Sequence, residues 1–318
     1  MPELPEVETV RRMLDATVIG RTIRTVRLSG QKLREPIPRD LPRRLAGLRF
    51  QAARRHGKYL LLDLDRGFTL LSHLGMSGRW LFHPEGPVSD VAHVHVRIRF
   101  VDGSELWFAD PRRFGLFRLV PTARLDRDRS LAELGPDPVA QPPTGTTLGA
   151  IARGSRVSIK VFLLDQRRLA GIGNIYASEI LHRAAVDPRI PACRVPADRW
   201  EAIAAETQAV LVEAIERSGT TFSMYRTIWN EPGQYGEQLR VYDRAGEPCL
   251  VCDTEIRRIV QGARSTFFCP SCQPTRRKQP LKRPLPRGSG APPRPARKPP
   301  SRPRRAVSGA SRARSRRP

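Results

Sequence analysis

The 318-residue sequence predicts an α+β multidomain protein that ends in a basic tail. Three observations lead to this assignment. Short alternating apolar patterns typical of antiparallel strands dominate from about residue 21 to 134, helical periodicity follows in 135–236, and four cysteines cluster within 237–274. The predicted units are therefore 1–134, 135–236 and 237–274, followed by the tail 275–318.

The N-terminal unit is expected to open with a short helix over residues 5–16. Val7, Val10 and Leu14 recur on one face at helical spacing. Pro5 stands near the start, where its missing N–H leaves no hydrogen bond unmade. The pattern therefore predicts a helix that packs its apolar face against the strands that follow.

Two antiparallel hairpins are predicted in the same unit. Tyr59–Leu64 and Phe68–Leu71 flank the turn sequence Asp65-Arg66-Gly67. An alternating strand from Val94 to Phe100 precedes the turn Asp102-Gly103 and a second apolar run. The alternate positions of that strand are basic and predict a basic outer face: His95, Arg97 and Arg99.

The middle unit is expected to begin with a linker and to continue as helices. Four prolines within 135–145 indicate the linker. Helical periodicity then marks three segments: Ile159–Asp165, Ile175–His182 and Arg199–Arg217. Before the second of them, glycines permit tight turns and Asn174 is placed to cap the helix that follows.

The clustered cysteines have the spacing of a zinc ribbon. Cys249-x-x-Cys252 is followed, after sixteen residues, by Cys269-x-x-Cys272, so two knuckle turns can close a tetrahedral site for one Zn²⁺. Four thiolates leave no open coordination position, so we expect a structural metal. Four unrelated buried thiols are the alternative, and Cys193 has no partner in this pattern.

The charge of the chain indicates its partner. Lys and Arg number 56 against 31 Asp and Glu, and the formal net charge of +25 favours a polyanion. The tail 275–318 carries 16 of the basic residues, 10 prolines and no acidic residue, so we expect it to be disordered. We interpret it as an electrostatic tether to nucleic acid, and an extension with no selected role explains its composition nearly as well.

Membrane and secreted classes are excluded by pattern. No run approaches the roughly 18 apolar residues of a membrane span. Glu3 stands where a secretion signal needs basic residues, and the cysteine usage suits a reducing compartment. The sequence therefore predicts a cytoplasmic protein.

Six blocks of the sequence occur in an order shared with one protein family. They are Met1–Val10, His56–Leu60, Ser72–Gly78, Asp110–Gly115, Gly171–Glu179 and the zinc ribbon. In combination they are highly specific, and over 1–273 the chain resembles bacterial formamidopyrimidine-DNA glycosylase. The resemblance implies an N-terminal β-sandwich, a helix–two-turns–helix domain and a C-terminal zinc ribbon, with the tail outside it.

The N-terminal dipeptide has chemistry that suits this family. If Met1 is removed, Pro2 becomes a secondary amine, and an α-amino group titrates at about pH 7.7–8.0, far below lysine. Its condensation with a sugar carbon gives an iminium, an electron sink that favours elimination. Glu3 beside it could move protons on the sugar oxygen. Without the other blocks, Pro2-Glu3 would be an ordinary N-terminus.

The resemblance implies five catalytic residues. Pro2 would attack C1′ of the damaged nucleotide, and Glu3 would be the general acid and base that helps to open the deoxyribose ring. Glu6 would order the N-terminus, Lys58 would donate a proton in β-elimination and hold a phosphate, and Arg264 would assist δ-elimination. Lys58 is one of six lysines beside 50 arginines, which favours a need for its titratable ammonium over a chance survival.

The resemblance assigns three residues to the gap that an extruded base leaves in the duplex. Met76 is a flexible apolar probe, Arg112 a planar fork that can face the orphaned cytosine, and Phe114 a ring wedge. Hydrophobic core is the alternative for Met76 and Phe114. The turn formed by Gly75 and Ser77-Gly78 favours an exposed position for Met76.

Phosphate binding is expected from Asn174 and the N-terminus of its helix. Four further candidates have a solvated surface charge as the alternative: His93, Arg113, Arg156 and Lys160. Residues 219–225 match the position of the family's base-capping loop.

The resemblance thus predicts a bifunctional DNA glycosylase and AP lyase of base excision repair, acting on damaged double-stranded DNA. It would remove 8-oxoguanine and formamidopyrimidines and then cleave the strand by β,δ-elimination. Two alternatives are open: the sister family that excises oxidised pyrimidines, and a noncatalytic zinc-ribbon DNA-binding protein. The resemblance also suggests a monomer of the bacterial cytoplasm with one structural Zn²⁺.

Overall fold

The computed structural model describes residues 1–86, 91–221 and 225–275. The predicted tail falls outside these residues apart from Thr275, and so do residues 222–224 of the expected base-capping loop. No helix within the described ranges is long and apolar enough to cross a membrane.

Helix α1 (Leu4–Val18) opens the chain and is longer than the predicted 5–16. Glu3 is its N-cap residue, and the Glu6 carboxylate accepts the Glu3 N–H at 2.7 Å, so the first turn is closed by its own side chain. The apolar face predicted for this helix is buried: Val7, Val10 and Leu14.

Two four-stranded antiparallel sheets follow and form a sandwich. In chain order the elements are β1 (Ile23–Leu28), α2 (Leu41–Leu45), β2 (Phe50–His56), β3 (Tyr59–Leu64), β4 (Phe68–His73), β5 (Arg79–His83), β6 (Val94–Phe100), β7 (Glu105–Ala109) and β8 (Leu116–Pro121). One sheet has the order β1-β6-β7-β5 and the other β2-β3-β4-β8. The two sheets and α1 share one core, to which they contribute Phe100, Leu62 and Leu14 respectively. Because burial of one such side chain is worth about 1.5–3 kcal/mol, this core holds α1 firmly against the sheets.

Both predicted hairpins are confirmed. β3 pairs with β4, with Leu64 opposite Phe68, and β6 pairs with β7, with Arg99 opposite Glu105. The prediction of a basic outer face on β6 was wrong at one position, because His95 is buried. Its two ring nitrogens lie 3.0 Å from Ser29 Oγ and 3.0 Å from the Asp110 carbonyl oxygen, and these two polar partners make burial of the ring possible.

The following segment is helical. Its helices are α3 (Gly145–Ala152), α4 (Ile159–Leu164), α5 (Asn174–Arg183) and α6 (Ala197–Glu216). The last three match the predicted segments within two residues, whereas α3 escaped detection because its first residues are weak helix formers. Leu4, the first residue of α1, is buried in the core of these helices, while Val7 belongs to the core of the sandwich. The N-terminus of the chain therefore lies at the boundary between the two cores.

The cysteine segment forms a small unit around a two-stranded hairpin, β9 (Arg257–Gln261) and β10 (Arg264–Phe268). Gly262 and Ala263 connect the strands with φ of 55° and 58°, the left-handed pair that a two-residue hairpin turn requires. Val241, Ile256 and Phe267 fill its core beside the cysteines.

Candidate active site and zinc centre

The carboxylate of Glu3 lies at the N-terminus of α5. It accepts the N–H of Ile175 at 3.0 Å and the N–H of Tyr176 at 3.4 Å. These groups have no acceptor inside the helix, and the helix dipole favours an anion at this end. Glu3 thereby joins the start of α1 to the start of α5.

Asn174 does not cap α5, so the sequence prediction was wrong on this point. The N-cap is Gly173, and Asn174 is the first helical residue. A Cβ atom at position 173 would collide with the Glu3 carboxyl group, so glycine leaves the space in which that carboxylate takes the capping role. The Asn174 side chain turns to the zinc hairpin, where Nδ2 donates to the Ser265 carbonyl at 2.8 Å.

Pro2 and Glu6 are buried beside Glu3. Glu6 accepts the hydroxyl of Tyr176 at 2.5 Å and the N–H of Thr220 at 2.8 Å, in addition to its bond from the Glu3 N–H. Burial and the neighbouring Glu3 charge raise the pKa of Glu6. These contacts tie the first turn of α1 to α5 and to the residue that follows Gly219.

Lys58 lies between β2 and β3, and its ammonium is aimed at the same region. Nζ donates to the Ile172 carbonyl at 3.2 Å. Burial lowers the pKa of Lys58, Glu3 and Glu6 oppose the shift, and Arg264 adds to it. Charge interactions of this kind act over short distances. Four of the predicted catalytic side chains therefore interact electrostatically: Lys58, Glu3, Glu6 and Arg264.

Lys160 is fully buried and therefore differs from both sequence interpretations, a direct phosphate contact and a solvated surface charge. Nζ donates to Asn174 Oδ1 at 2.9 Å, to Ser178 Oγ at 3.0 Å and to Thr266 Oγ1 at 3.4 Å. Burial lowers the pKa of Lys160 to about 8. Its contacts link α4, α5 and β10, so Lys160 fixes the Asn174 side chain and the hairpin that carries Arg264.

The four predicted metal ligands converge. The sulfur atoms of Cys249, Cys252, Cys269 and Cys272 all lie within 4.8 Å of one another. Tetrahedral zinc with Zn–S bonds of about 2.3 Å would separate its sulfurs by about 3.8 Å. The Cys249–Cys272 distance of 3.8 Å and the Cys252–Cys269 distance of 3.5 Å fit this geometry. The site suits one Zn²⁺ that holds the hairpin, and Cys193 is exposed elsewhere.

Two loops, 74–78 and 110–115, carry the residues expected to enter the duplex; we call them the probe loops. Met76 is 37 % exposed and Phe114 is 45 % exposed, which excludes the hydrophobic-core alternative for both. The guanidinium of Arg112 lies over the Phe114 ring, 5.1 Å from its centroid. Arg112 and Phe114 thus form one exposed pair, and Met76 is exposed on the other probe loop.

The remaining basic candidates lie on the surface. His93 and Arg113 are exposed and line a groove of about 510 Å³. Arg113 also donates to Gln31 Oε1 at 2.9 Å. Arg156 is exposed in the loop before α4. The structure separates these residues from the buried Lys160 but leaves all three accessible to a polyanion.

Comparisons with known proteins agree with this geometry. Family models match at residues 1–117 (formamidopyrimidine-DNA glycosylase N-terminal domain), 134–226 (the H2TH domain of the same enzyme) and 246–275 (zinc finger found in FPG and IleRS). The formamidopyrimidine-DNA glycosylase of Caulobacter vibrioides is 41 % identical over 286 residues, covering 86 % of this chain and all of the relative. The chain belongs to the formamidopyrimidine-DNA glycosylase family.

Further relatives within the family are similarly close. The enzyme of Methylococcus capsulatus is 43 % identical over 274 residues, with 86 % of this chain and all of the relative covered. The crystal structure of Lactococcus lactis Fpg with DNA containing an abasic site superposes with a TM-score of 0.78 at 30 % identity, covering 85 % of this chain and 99 % of that chain. The Thermus thermophilus MutM (Fpg) protein gives a TM-score of 0.75 at 35 % identity, covering 86 % and 98 %.

Two buried residues of this family member were missed by sequence reasoning. Tyr176 donates its hydroxyl to Glu6, and Asp110, fully buried, accepts the Ser77 hydroxyl at 2.5 Å and the Gly115 N–H at 2.7 Å. Asp110 thereby joins the two probe loops. Both residues lie inside the sequence blocks. The signal that could have found them is a polar side chain at a position whose neighbours are apolar, for Tyr176, or form a turn, for Asp110.

Proposed function

We propose that the chain is a bifunctional DNA glycosylase and AP lyase of base excision repair that removes oxidised purines. The observation that carries this proposal is the junction of α1 and α5, where Pro2 is held beside the buried Glu3 carboxylate. The substrates would be 8-oxoguanine and formamidopyrimidines in double-stranded DNA. The two elimination steps that follow excision are part of the proposal.

The proposed reaction begins at Pro2. Removal of the exposed Met1 converts the peptide nitrogen of Pro2 into a secondary amine. This nitrogen attacks C1′ while the bond from C1′ to the damaged base breaks; the departing base takes up a proton from solvent, and the nitrogen passes its own proton to Glu3. Glu3 protonates the sugar oxygen as the ring opens, which gives the iminium. The hydrogen bonds from α5 keep its carboxylate aimed at this place.

Elimination would follow from the iminium. Loss of the proton at C2′ expels the 3′ phosphate, and a second elimination expels the 5′ phosphate. Lys58, with its pKa lowered by burial, gives up its proton more readily than an exposed lysine and is the proposed proton donor. Arg264 on the exposed hairpin would bind the departing phosphate, and Asn174 would hold the neighbouring one.

The probe loops would fill the duplex after the base leaves it. The exposure of Met76 and of Phe114, which is stacked with Arg112, supports this role. His93, Arg113 and Arg156 are proposed as contacts to the DNA backbone. The remaining proposals are a monomer in the bacterial cytoplasm and domain limits at 134, 236 and 274.

Borohydride trapping tests the proposed nucleophile. The protein is incubated with an 8-oxoguanine duplex and borohydride, and the N-terminal mass is measured on the same sample. We expect a covalent complex from chains that begin at Pro2, weaker trapping by Pro2→Gly, and none from a chain extended upstream of Pro2. Undiminished trapping by the extended chain would place the nucleophile elsewhere. Failure of all forms to trap would favour the noncatalytic DNA-binding alternative.

A second assay addresses the lesion. One related crystal structure is Lactococcus lactis Fpg in complex with DNA that contains an oxidised pyrimidine, at a TM-score of 0.78 and 30 % identity. Excision rates are therefore compared on matched duplexes with 8-oxoguanine and thymine glycol. We expect the higher rate on 8-oxoguanine, and the reverse order would assign the chain to the pyrimidine alternative.

A further inference from the structure

The segment between β1 and α2 lies against the probe loops and is itself fixed on both sides of Arg34. Leu33 is buried in the core of the sandwich. Glu35 pairs with Arg129 at 2.7 Å and with Arg118 at 3.8 Å. The contacts of Leu33 and Glu35 therefore hold the backbone of Arg34 in place independently of its own side chain.

Arg34 contacts the 110–115 loop directly and is linked to the 74–78 loop through His73. Its N–H donates to the Gly115 carbonyl at 3.0 Å, and its Nε donates to the Phe114 carbonyl at 3.1 Å. Its Nη2 lies 3.3 Å from His73 Nδ1, which also accepts the N–H of Gly75 at 2.8 Å. Both groups are donors, so Nδ1 carries no proton and the His73 ring is neutral.

The two probe loops are in direct backbone contact at this place. Gly75 has a φ of 63°, and a Cβ atom there would lie 2.5 Å from the Phe114 carbonyl carbon. Asp110 joins the loops through Ser77 and the N–H of Gly115. Arg34 provides a second connection, from the Phe114 carbonyl to His73 and through His73 to Gly75, and Arg34 is exposed to solvent.

We infer that Arg34 is a positioning residue that fastens the two probe loops together, so that Met76, Arg112 and Phe114 enter the duplex as one unit. This inference rests on the proposed function. The physical reason is that a change far from the reacting atoms can misplace a group by about 1 Å, and such a misplacement lowers the rate by a large factor. A direct contact between the exposed guanidinium and a DNA phosphate is the competing explanation.

The first experiment compares Arg34→Gln with Lys32→Gln, which removes the same charge two residues away. The single-turnover rate constant is measured on an 8-oxoguanine duplex and on a duplex with a preformed abasic site, which has no base to extrude. We expect Arg34→Gln to lower excision about tenfold and to leave abasic-site cleavage within about twofold. Lys32→Gln should resemble the unmodified chain on both substrates.

Two further variants separate the bridge from a phosphate contact. Arg34→Lys keeps the charge but has no planar fork with which to contact the Phe114 carbonyl and His73 together, so it should remain as impaired as Arg34→Gln. In a Phe114→Ala background, Arg34→Gln should cost less than about threefold, because coupled residues are not additive. Rescue by lysine, or fully additive losses, would overturn the inference. If the unmodified chain excises 8-oxoguanine and Arg34→Gln behaves like Lys32→Gln, the inference alone fails; if the unmodified chain excises nothing, the proposed function fails first.

Discussion

Because Gly173 has no side chain, the Glu3 carboxyl group can lie against its backbone. The space that its Cβ would occupy is filled by the Glu3 carboxyl group, which accepts the first free N–H groups of α5. A helix N-terminus stabilises an anion by about 0.3–1 kcal/mol at the surface and by more when it is partly buried. The Glu3 carboxylate is thereby held at the junction of two separate units.

We expect Gly173→Ala to displace this carboxylate and to lower excision on the order of 100-fold, the usual contribution of a general acid or base. Excision on 8-oxoguanine duplexes and borohydride trapping are the measurements. Gly236→Ala makes the same chemical change where the nearest contact to the new Cβ would be 3.8 Å, and it should be silent. Equal activity of the two variants would contradict a role for Glu3 at this position.

The environment of His73 predicts how the stability of the folded chain depends on pH. Burial, then Arg34 and Lys58, lowers the pKa of His73 to about 3, against an ordinary value of 6.5. Between these values the unfolded chain binds a proton that the folded chain does not, so the stability present above pH 6.5 declines as the pH falls toward 3.

The Asn side chain in His73→Asn can accept the Gly75 N–H without titrating. We therefore expect the unfolding free energy of the variant, measured by urea denaturation between pH 8 and pH 4, to fall less steeply than that of the unmodified chain. The difference between the two should be constant above about pH 7. Parallel curves across the whole range would mean that His73 titrates normally in the folded state.

At the scale of elements, the zinc hairpin is held from two sides. The four thiolates close its base, and Lys160 bonds to Thr266 on β10 while Asn174 bonds to the Ser265 carbonyl. The hairpin is short, and an isolated two-stranded hairpin is marginal in water. Its position therefore depends on the metal and on these contacts to α4 and α5.

Loss of the metal should release the hairpin and with it Arg264. We expect Cys272→Ser to lose zinc and to lower abasic-site cleavage at least about tenfold, since one charge-assisted contact to phosphate would be lost. Zinc content by chromogenic chelation and cleavage of an abasic duplex are the measurements. Cys193→Ser, an exposed cysteine outside the cluster, is the matched control and should keep both. Full cleavage by a zinc-free chain would separate Arg264 from the reaction.

At the scale of the whole molecule, one buried ion network joins three segments. Arg55 on β2 bonds to Glu8 of α1 at 2.9 Å and forms a two-point pair with Asp137, which lies in the predicted linker. Asp137 also accepts the N–H of Gly57, next to Lys58, at 2.9 Å. Neither Arg55 nor Asp137 has more than 4 % of its side chain exposed.

Removal of one member leaves a buried charge without its partner. We expect Asp137→Ala to lower the unfolding free energy by about 3–5 kcal/mol, measured by urea denaturation. Asp126→Ala breaks the exposed pair with Arg127 and should cost at most about 1 kcal/mol. Similar costs for the two variants would show that the Arg55 network adds no more than a surface pair.

Local pattern accounted for the elements whose signals are repeated within a few residues. The hairpin turn Asp65-Arg66-Gly67, the apolar face of α1 and the spacing of the cysteines needed no distant partner. The helix α3 was missed because its sequence is weakly helical and its stability comes from contact with α6. His95 and Lys160 were misplaced because charge in a sequence does not reveal a buried hydrogen-bond partner.

By itself, the sequence determined the strand and helix periodicities, the zinc ligand set and, through its blocks, the family. Only the tertiary structure decided that Glu3 rather than Asn174 caps α5, that Lys160 is internal, and that the probe loops touch. Periodicity and spacing are properties of neighbours along the chain. Capping, burial and loop contact depend on groups separated by many residues, such as the 172 positions between Glu3 and Ile175, and these meet only once both cores have formed.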